Sequence, residues 1–472
     1  MTRTLIANNK NILCRLHFRK FDSHDNISAL SQIFSTLRYP SILGGNSSRA
    51  DTGRFSYWAA VPKETFEFNS GQENPFEKLQ DIFTKYKLLQ DCIAGLPVDI
   101  FCGGWIGYFS YELCRYIEKL PCTTIDDLQM PLIRLYFYDR IIAYDHIDKT
   151  FWLMALEIHG DSEQPEQKLD ELEQLVEKSQ QIYLSPPACV DLDNIDFSNI
   201  NCNMDKDYYL QAIEKIKKYI YDGETYQINF SRRFECEFDT KAIDLFHWQN
   251  FYNPSPFSAY IDAGGHKIVS ASPEMFITTN NGSVSTKPIK GTRPRTKNPD
   301  KDYAQELLSN QKEQAELNMI IDLERNDIAK ICIPGTRKVT QSRTIETYPT
   351  VFHAVATIAG ILREDISFCD ILKATFPGGS ITGAPKIRSM EIIDETEPTA
   401  RGVYTGSIGF ISIDGNTCLN IAIRTIIIKN KKAYVQTGGG IVADSEAEAE
   451  WQETIIKARA LLAGIKSVTQ SA

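Results

Sequence analysis

The spacing of hydrophobic residues changes along the second half of the chain from a helical to an extended pattern. Four aliphatic residues recur at intervals of three and four positions, which predicts a helix with one buried face: Leu210, Ile213, Ile216 and Ile220. After Gly223 the pattern becomes that of a strand. Two further helices are predicted, a long one over DYAQELLSNQKEQAELNMIIDLERNDIAKIC and a last one over DSEAEAEWQETIIKARALLAGI.

Strands are predicted on both sides of the long helix. MFITTNNGSVSTKPI predicts a hairpin that turns at 281–282. GVYTGSIGFISIDGNTCLNIAIRTIIIKNKKAYVQTGGG predicts three antiparallel strands, with turns at 414–415 and 429–430. The first part of the chain carries short aromatic-rich runs typical of strands, such as RLYFYDRIIAYD.

The length of the chain bears on its domain organisation. At 472 residues it exceeds the usual size of a single core, so two domains or one two-lobed unit is expected. A segment rich in Pro, Asn and Asp, about 185 to 204, is the predicted linker between regions 1–195 and 205–467. Eleven cysteines without a C-x-x-C pair predict reduced thiols rather than disulfides or a zinc site.

The charge and hydropathy of the chain argue against several classes of function. The formal net charge is −10 without a basic block, which argues against binding to nucleic acid or to anionic membranes. No apolar run approaches the roughly 18 residues that span a bilayer, and the N-terminus lacks a secretory signal. We therefore expect a cytoplasmic protein. An acidic enzyme that acts on an anionic metabolite needs a local cation to offset its own field.

Two of the predicted helices each carry a pair of glutamates one turn apart. Glu313 and Glu316 share a face of the long helix, and Glu450 and Glu453 share a face of the last one, which Lys457 extends by a turn. If the helices face each other, the repulsion of four carboxylates calls for a divalent ion, and oxygen ligands favour magnesium or manganese. The alternative is two solvated helix faces.

Several basic residues have two interpretations. Arg424 interrupts an apolar strand, so it pairs either with an internal carboxylate or with a ligand carboxylate that Tyr404 could also contact. His353 lies in an apolar context and is either a satisfied core histidine or a proton carrier. Lys290 ends a predicted strand directly before Gly291, and is either a solvated surface lysine or a positioned amine.

Three consecutive glycines precede the last helix. The amides of Gly438, Gly439 and Gly440 could form a nest for an anionic group at the start of that helix. A flexible turn would have the same sequence.

The motifs together resemble those of the chorismate-utilising enzymes, a family that includes anthranilate synthase component I, isochorismate and salicylate synthases, and aminodeoxychorismate synthase component I. The resemblance is dense over about 205 to 465 and looser before. It rests on YQINFSRRF, SASPEMF, PIKGTRPR, AELNMIIDLERND, TFPGGSITGAPK, GVYTGSIGF, NIAIRT and QTGGGIVADSEAEAEWQET. It implies an α+β fold of two stacked antiparallel sheets with helices outside and an active site in the cleft between the sheets.

The resemblance also implies roles for individual residues. Glu316 and Glu453 match direct magnesium ligands, and Glu313 and Glu450 match residues that hold metal-bound water. Glu274 matches the acid that assists departure of the ring 4-hydroxyl. The remaining substrate-binding positions are Arg424, Tyr404, Gly438, Gly439, Gly440, Lys457, His353 and Gln227.

Two positions indicate which reaction the family member performs. Isochorismate and salicylate synthases carry a water-activating lysine where this chain has Gln227. Anthranilate synthases usually have Pro-Ile-Ala-Gly-Thr where this chain has Pro-Ile-Lys-Gly-Thr, and Lys290 at that place resembles the nucleophile of aminodeoxychorismate synthases. The resemblance thus implies a magnesium-dependent transferase that forms 4-amino-4-deoxychorismate, the precursor of 4-aminobenzoate and folate. The alternatives are an anthranilate synthase that carries Lys290 and a non-catalytic binding subunit.

The resemblance implies a partner and a second ligand. No Gly-x-Cys-x-Gly nucleophile motif is present, so a separate glutamine amidotransferase subunit is expected to supply ammonia. The N-terminal region of relatives holds a tryptophan pocket, which matches SILGGNSSRADTGRF and NPSPFSAY here. Gly44 and Gly45 stand where tryptophan-binding relatives often have a polar side chain, which leaves occupancy open.

Overall fold

The computed structural model describes residues 11–22, 26–45, 52–89, 92–190, 200–295, 303–348 and 351–470, apart from the side chains of Pro294 and Lys312. The described strands are β1 Ile12–Phe21, β2 Ser41–Leu43, β3 Phe55–Ala59, β4 Glu64–Phe68, β5 Tyr86–Leu88, β6 Gly104–Phe109, β7 Ile133–Tyr138, β8 Arg140–Asp145, β9 Thr150–Ile158, β10 Asn201–Cys202, β11 Gln227–Glu237, β12 Phe257–Asp262, β13 Lys267–Ser272, β14 Met275–Asn280, β15 Ser283–Lys287, β16 Ile289–Pro294, β17 Lys338–Thr347, β18 Val351–Ile361, β19 Gly383–Ala384, β20 Ser407–Ser412, β21 Thr417–Ile421, β22 Thr425–Lys429 and β23 Lys432–Ile441. The described α-helices are α1 Ile27–Ser35, α2 Phe76–Lys85, α3 Pro165–Gln180, α4 Lys206–Tyr221, α5 Ala242–Tyr252, α6 Tyr303–Ser309, α7 Gln311–Ala329, α8 Phe368–Thr375, α9 Lys386–Thr396 and α10 Ala447–Gln470.

These strands form two large sheets. The first has the order β10-β11-β23-β22-β13-β12-β2-β3-β8-β9-β1-β5, with β19 beside β11, and the second has the order β16-β18-β15-β14-β21-β20-β6-β7-β4, with β17 beside β18. The described pairs of strands are antiparallel except β1 with β5, which is parallel. The predicted α+β fold with two antiparallel sheets is confirmed.

Both predicted regions contribute strands to both sheets. Leu43 of β2 pairs with Ala259 of β12 in the first sheet, and Phe109 of β6 pairs with Ser407 of β20 in the second. The division into 1–195 and 205–467 stays a prediction, and residues 191–199 of the linker lie outside the described part of the chain.

Two clusters of buried apolar residues show how the sheets and helices pack against one another. One hydrophobic cluster combines residues of both sheets, such as Tyr108 of β6 and Ile268 of β13, so apolar side chains fill the space between the sheets. A second cluster packs Phe34 of α1, Leu172 of α3 and Leu461 of α10 against strands of the first sheet. Helices therefore cover the outer face of that sheet, as expected.

The predicted helical face in the second half is confirmed in α4. Ile213 and Ile216 are fully buried. The Asp205 side chain accepts a hydrogen bond of 2.8 Å from the Tyr208 amide and caps the helix, as Asp does well at this position. The hairpin turn at 281–282 also lies where it was predicted, between β14 and β15.

The long helix predicted after residue 302 is wrong as a single element. It is divided into α6 and α7 at Asn310, whose side chain accepts a hydrogen bond of 3.0 Å from the Glu313 amide. This N-cap begins α7 and places Glu313 in its first turn.

The middle of the three predicted C-terminal strands is also divided. β21 pairs with β14 and β20 in the second sheet, whereas β22 pairs with β13 and β23 in the first. Arg424 lies at the crossing between the sheets with φ of +52°, which a regular strand does not allow. Four strands therefore replace three, and Arg424 lies between strands rather than within one.

Gly438–Gly440 belong to the last of the predicted C-terminal strands, and not to a nest or turn directly before the last helix. These glycines lie in β23, where Gly438, Gly439 and Gly440 pair with Ser231, Phe230 and Asn229 of β11. The last helix, α10, begins later, at Ala447.

Two smaller predictions can be compared with the structure. All eleven cysteines are free thiols, as predicted. Among the described helices, none combines the length and the apolar character that a membrane crossing requires.

Candidate active site

Lys290 lies where the two sheets approach each other. It belongs to β16 of the second sheet, and Gly291 after it has φ of +87°. A Cβ atom placed on Gly440, in β23 of the first sheet, would overlap the Gln227 amide nitrogen and lie 3.4 Å from Lys290 Nζ. The absence of a side chain at Gly440 therefore leaves room for the lysine in the cleft.

The surroundings of Lys290 favour its neutral amine. Burial lowers the pKa of Lys290, and the charge of Lys457 lowers it further. Glu316, Glu274 and Glu453 act in the opposite direction, but the net shift of the pKa is downward. An amine with a lowered pKa has a larger neutral, nucleophilic fraction at a given pH.

Glu274 is a buried acid next to this lysine. Only 4% of Glu274 is exposed to solvent. Its Oε1 accepts a hydrogen bond of 3.3 Å from the Ile289 amide, and the Ser380 hydroxyl also contacts its carboxyl group. Burial raises the pKa of Glu274, although Ser380, Ile289 and Lys290 each lower it. The carboxyl group therefore holds a proton more readily than an exposed glutamate.

Gln227 begins β11 and is fully buried beside Gly440 and Lys290. In the described part of the chain, neither its amide nitrogen nor its amide oxygen has a hydrogen-bond partner. A buried amide without partners costs free energy, so this side chain is suited to contact a polar ligand in the cleft.

The two glutamate pairs border the same cleft. A Cβ atom on Gly439 would lie 2.9 Å from Glu450 Oε2 and 3.8 Å from Glu453 Oε1. A Cβ atom on Gly291 would lie 3.0 Å from Glu313 Oε2. Helices α7 and α10 thus bring their carboxylates to strands β16 and β23, on either side of Lys290.

Each carboxylate also has contacts within the protein. Glu313 Oε1 accepts a hydrogen bond of 2.8 Å from Arg293, and Glu450 Oε1 accepts one of 2.7 Å from Ser445. Glu453 forms an ion pair of 2.6 Å with Lys457. Within the described ranges, no three of these glutamates bring ligand oxygens within 4.8 Å of one another. Because Glu313 Oε2 is buried and has no hydrogen-bond partner in the part of the chain that the structure describes, the donor set nevertheless fits a hard cation.

Arg424 is held by the protein through a backbone atom. Its Nη1 donates a hydrogen bond of 3.1 Å to the Lys457 carbonyl oxygen. No carboxylate among the described residues forms an ion pair with Arg424. Burial lowers the pKa of Arg424, while Tyr404 and Glu453 raise it. This arrangement favours a ligand carboxylate over an internal salt bridge as its partner.

Tyr404 and Lys457 extend this basic side of the cleft. Burial raises the pKa of Tyr404 and keeps its hydroxyl neutral, so it can donate a hydrogen bond. Lys457 donates a hydrogen bond of 2.8 Å to the Gly438 carbonyl oxygen, in addition to its ion pair with Glu453.

His353 lies behind β16, on β18. Its Nδ1 is 2.9 Å from the Thr292 hydroxyl, and burial together with the charge of Arg424 lowers its pKa to about 3. Thr292 thus contacts one ring nitrogen of His353, and the lowered pKa keeps the imidazole neutral at physiological pH.

The sequence interpretation missed two polar residues near Glu274. Ser380 contacts the Glu274 carboxyl group, and Glu324 lies behind Ser380 on α7. Both belong to quoted motifs, TFPGGSITGAPK and AELNMIIDLERND, but no local signal distinguishes them from surface positions.

A cavity of about 430 Å³ lies apart from Lys290, where the N-terminal strands meet the C-terminal region. Its lining includes Gly44, Tyr57, Phe257, Ser258 and Phe410. This is the location expected for a tryptophan pocket, although residues 46–51 of the matching segment lie outside the described part of the chain. The volume suits a small aromatic ligand.

Comparisons with known proteins agree with this fold and site. The family described as chorismate binding enzyme matches residues 47–463. The chain is 38% identical over 404 residues to anthranilate synthase component 1 of Pseudomonas aeruginosa, covering 84% of this chain and 81% of that protein. It is also 38% identical over 366 residues to aminodeoxychorismate synthase component 1 of Bacillus subtilis, covering 76% of each.

A solved structure gives the same result. Anthranilate synthase component I from Streptococcus pneumoniae TIGR4 superposes with a TM-score of 0.72 and 32% identity, covering 88% of this chain and 93% of that one. The chain therefore belongs to the chorismate binding enzyme family. It is a chorismate-utilising enzyme, with relatives named for both the anthranilate and the aminodeoxychorismate reaction.

Proposed function

We propose that this protein aminates chorismate at C4 with ammonia to give 4-amino-4-deoxychorismate. The observation that carries the proposal is Lys290, an amine with a lowered pKa in the cleft between the sheets, beside the buried acid Glu274. A nucleophile and a proton donor on one side of a cleft support covalent catalysis.

The proposed reaction has two displacements. The neutral Lys290 amine forms a bond to C2, the ring double bonds shift, and the C4 hydroxyl leaves as water with the proton of Glu274. Ammonia then forms a bond to C4, the double bonds shift back, and the C2–N bond breaks to release Lys290. The proton lost from the added nitrogen returns to Glu274, so atoms and charges balance.

The substrate carboxylates require cationic groups and hydrogen-bond donors. Arg424, Tyr404 and Lys457 supply these from one side of the cleft, and the amides of β23 at Gly438, Gly439 and Gly440 lie beside them. Gln227, beside Lys290, would orient the entering ammonia through its amide, which has no hydrogen-bond partner among the described residues. His353 supports the β16 backbone that carries Lys290 through its contact with Thr292.

Magnesium is the proposed cofactor. Glu316 and Glu453 would hold the ion directly, and Glu313 and Glu450 would hold it through water. The ion supplies positive charge for the ring carboxylate in a strongly acidic region. Lys457, which pairs with Glu453 and donates to the Gly438 carbonyl oxygen, lies next to the groups that would hold the ion.

Ammonia is proposed to come from glutamine through a separate amidotransferase subunit. The name component 1, which both groups of relatives carry, supports this arrangement. The product would then serve synthesis of 4-aminobenzoate and folate.

The 430 Å³ cavity is a candidate site for tryptophan, which calorimetric titration of the purified protein would test.

Formation of anthranilate is the alternative. It is supported by the Pseudomonas aeruginosa relative, which is as similar in sequence as the Bacillus subtilis one. The two reactions differ in the released products, because the anthranilate reaction expels pyruvate and leaves an aromatic ring.

The deciding experiment is product analysis by chromatography and mass spectrometry. Purified protein is incubated with chorismate, magnesium and ammonium at alkaline pH, and wild type is compared with Lys290→Ala and with the surface control Lys267→Ala. We expect aminodeoxychorismate from wild type and the control, and its loss in Lys290→Ala. Anthranilate and pyruvate from wild type at unchanged rates in Lys290→Ala would refute the proposal, and omission of magnesium tests the cofactor in the same assay.

A further inference from the structure

An arginine without an acidic partner lies behind the helix that carries Glu450 and Glu453. Arg232 is on β11, and only 2% of it is exposed to solvent. No carboxylate among the described residues forms an ion pair with it, and burial lowers its pKa. A buried guanidinium without a paired anion costs free energy. No step of the proposed reaction uses Arg232, so its position calls for an explanation.

Aromatic rings cover the guanidinium group of Arg232. Its Cζ lies 3.3 Å from the ring centroid of Trp451 on α10, 4.6 Å from that of Phe234 and 5.8 Å from that of Tyr209 on α4. These distances allow cation–π contacts, which are strongest where water is excluded. Because the rings separate the group from solvent, it is held by the protein and is not available to a ligand.

Hydrogen bonds connect the same guanidinium to the next turn of α10. Its Nε donates a hydrogen bond of 2.8 Å to Thr454 Oγ1, and that hydroxyl donates one of 2.7 Å to the Trp451 carbonyl oxygen. From β23, the Thr437 hydroxyl donates a hydrogen bond of 2.9 Å to the Thr454 carbonyl oxygen. The turn over residues 451–454 is therefore attached to both β11 and β23.

This turn adjoins both glutamates of α10. Trp451 directly follows Glu450, and Thr454 directly follows Glu453. A Cβ atom on Gly439 of β23 would lie 2.9 Å from Glu450 Oε2 and 3.8 Å from Glu453 Oε1. Since the backbone of a helix sets the direction of its side chains, a rotation of the turn would move both carboxylates away from this place on β23.

We propose that Arg232 is a positioning residue, which fixes the turn over residues 451–454 so that Glu450 and Glu453 face a shared divalent cation. The proposal rests on the magnesium site of the proposed function. A planar guanidinium can contact the Trp451 ring and donate in a fixed direction to Thr454 at the same time, which an apolar side chain of similar volume cannot do. Residues behind the ligands of a metal tune its affinity in this way.

The test measures manganese(II) binding to the free protein, without chorismate. Metal-free protein is titrated with manganese(II), and the unbound ion is measured by electron paramagnetic resonance. We expect Arg232→Met, which keeps most of the volume and loses the hydrogen bond, to raise Kd about tenfold, as for other groups behind metal ligands. Glu453→Gln should lose this binding, which identifies the site that is measured. Equal affinity in wild type and Arg232→Met would overturn the proposal.

Two further variants separate positioning from stability and from charge. Leu461→Ala opens a cavity under α10 at a fully buried position, so it should lower the free energy of unfolding without changing Kd. Weaker manganese binding in Leu461→Ala, by as much as in Arg232→Met, would show that loss of stability alone explains the effect. Arg232→Lys keeps the charge without the planar group and should also raise Kd. Wild-type affinity in Arg232→Lys would contradict a role that depends on geometry.

The contact with Thr454 is tested by Thr454→Val, which removes the hydroxyl at nearly constant volume. It should raise Kd as well, and the double variant with Arg232→Met should raise it by less than the product of the two single effects. Fully independent effects would refute the connection. If Arg232→Met does not fold, unchanged affinity in Thr454→Val overturns the proposal.

The outcomes also separate this proposal from those on which it depends. Wild type without saturable manganese binding would refute the cofactor proposal together with the role of Arg232. Binding that is lost in Glu453→Gln and unchanged in Arg232→Met would refute only the role of Arg232. Neither result depends on which product forms from chorismate, because the titration contains no substrate.

Discussion

Arg401 and Arg424 lie near the same tyrosine, Tyr404, and are held in opposite ways. Arg401 is 2% exposed, and its guanidinium donates hydrogen bonds of 2.9 Å and 2.7 Å to the two carboxylate oxygens of Glu397. Burial alone would lower the pKa of Arg401, but Glu397 raises it above the usual range. Arg424 has a backbone carbonyl instead, and its pKa is lowered.

Two lysines repeat the contrast. Lys168 is fully buried and donates to Asp139 at 2.7 Å, to Asp161 at 3.2 Å and to the Leu156 carbonyl oxygen at 3.0 Å. Lys290 has a lowered pKa and faces the space left by Gly440. Buried charges with complete ion pairs stabilise the fold, whereas those left underpaired in the cleft are available to a ligand.

The largest expected difference is between the two lysines. We expect Lys290→Ala to lower turnover of chorismate on the order of 10⁴-fold, because the nucleophile is lost, without lowering the free energy of unfolding. Lys168→Ala should lower the free energy of unfolding by roughly 3–5 kcal/mol, because the buried carboxylate of Asp139 loses its shorter ion pair and the half-buried Asp161 loses one of its two cations. Chorismate assays and urea denaturation of both variants measure the two effects. Comparable losses of stability in both would remove the distinction.

The arginines offer the next comparison. Arg401→Met should destabilise the protein by roughly 3–5 kcal/mol, because Glu397 stays buried with the Ser231 amide and hydroxyl but without the cation that pairs with it. Arg424→Met should leave stability unchanged or raise it, while KM for chorismate rises about 100-fold, as for loss of one partner of a buried charged pair. Urea denaturation and steady-state kinetics check these outcomes. A destabilised Arg424→Met with normal KM would make Arg424 a structural residue like Arg401.

The predictability of these elements from sequence depended on how local their causes are. The face of α4 and the turn at 281–282 follow from nearby residues, and both were predicted. The break at Asn310 carries a local signal as well, an asparagine three residues before Glu313, which the helical pattern around it obscured. The crossing at Arg424 does not, because its backbone conformation is imposed by two sheets that take β21 and β22 in different directions.

The residues of the candidate site were also predictable only where the cause of their position is local. The glutamate pairs on α7 and α10 were predicted from their spacing, and their roles from the family resemblance. The three glycines of β23 had two interpretations, the end of a predicted strand and a nest or turn before the last helix, since a residue without a side chain shows no strand pattern in sequence. Their place is decided by pairing with β11 and by the groups that need the space, Glu450 at Gly439 and Lys290 at Gly440. Glu324 is buried by Gly379, 55 residues later, which no local pattern indicates.

A smaller effect should distinguish Lys290 through the pH dependence of stability. The folded-state pKa of Lys290 is lowered below that of an unfolded lysine, about 10.4. The folded state therefore binds fewer protons in this range, so wild type gains stability relative to Lys290→Met as the pH rises through the lowered pKa towards 10.4. Urea denaturation of both proteins at several pH values between 8 and 10.5 measures the difference. A difference that does not change with pH would show that the amine is not shifted.

The smallest expected effect concerns the space beside Lys290. A methyl group at Gly440 would overlap the end of the Gln227 side chain and lie 3.4 Å from Lys290 Nζ, so these flexible groups must move while the backbone of β23 stays. We expect Gly440→Ala to lower kcat about tenfold, as small misplacements of reacting groups do, and to change stability by less than about 1 kcal/mol. Gly265→Ala is the control, because a Cβ atom there meets nothing within 4 Å. Full turnover in Gly440→Ala would mean that Lys290 does not depend on the room that this glycine leaves, and the contrast with the tightly held Lys168 would lose its structural basis.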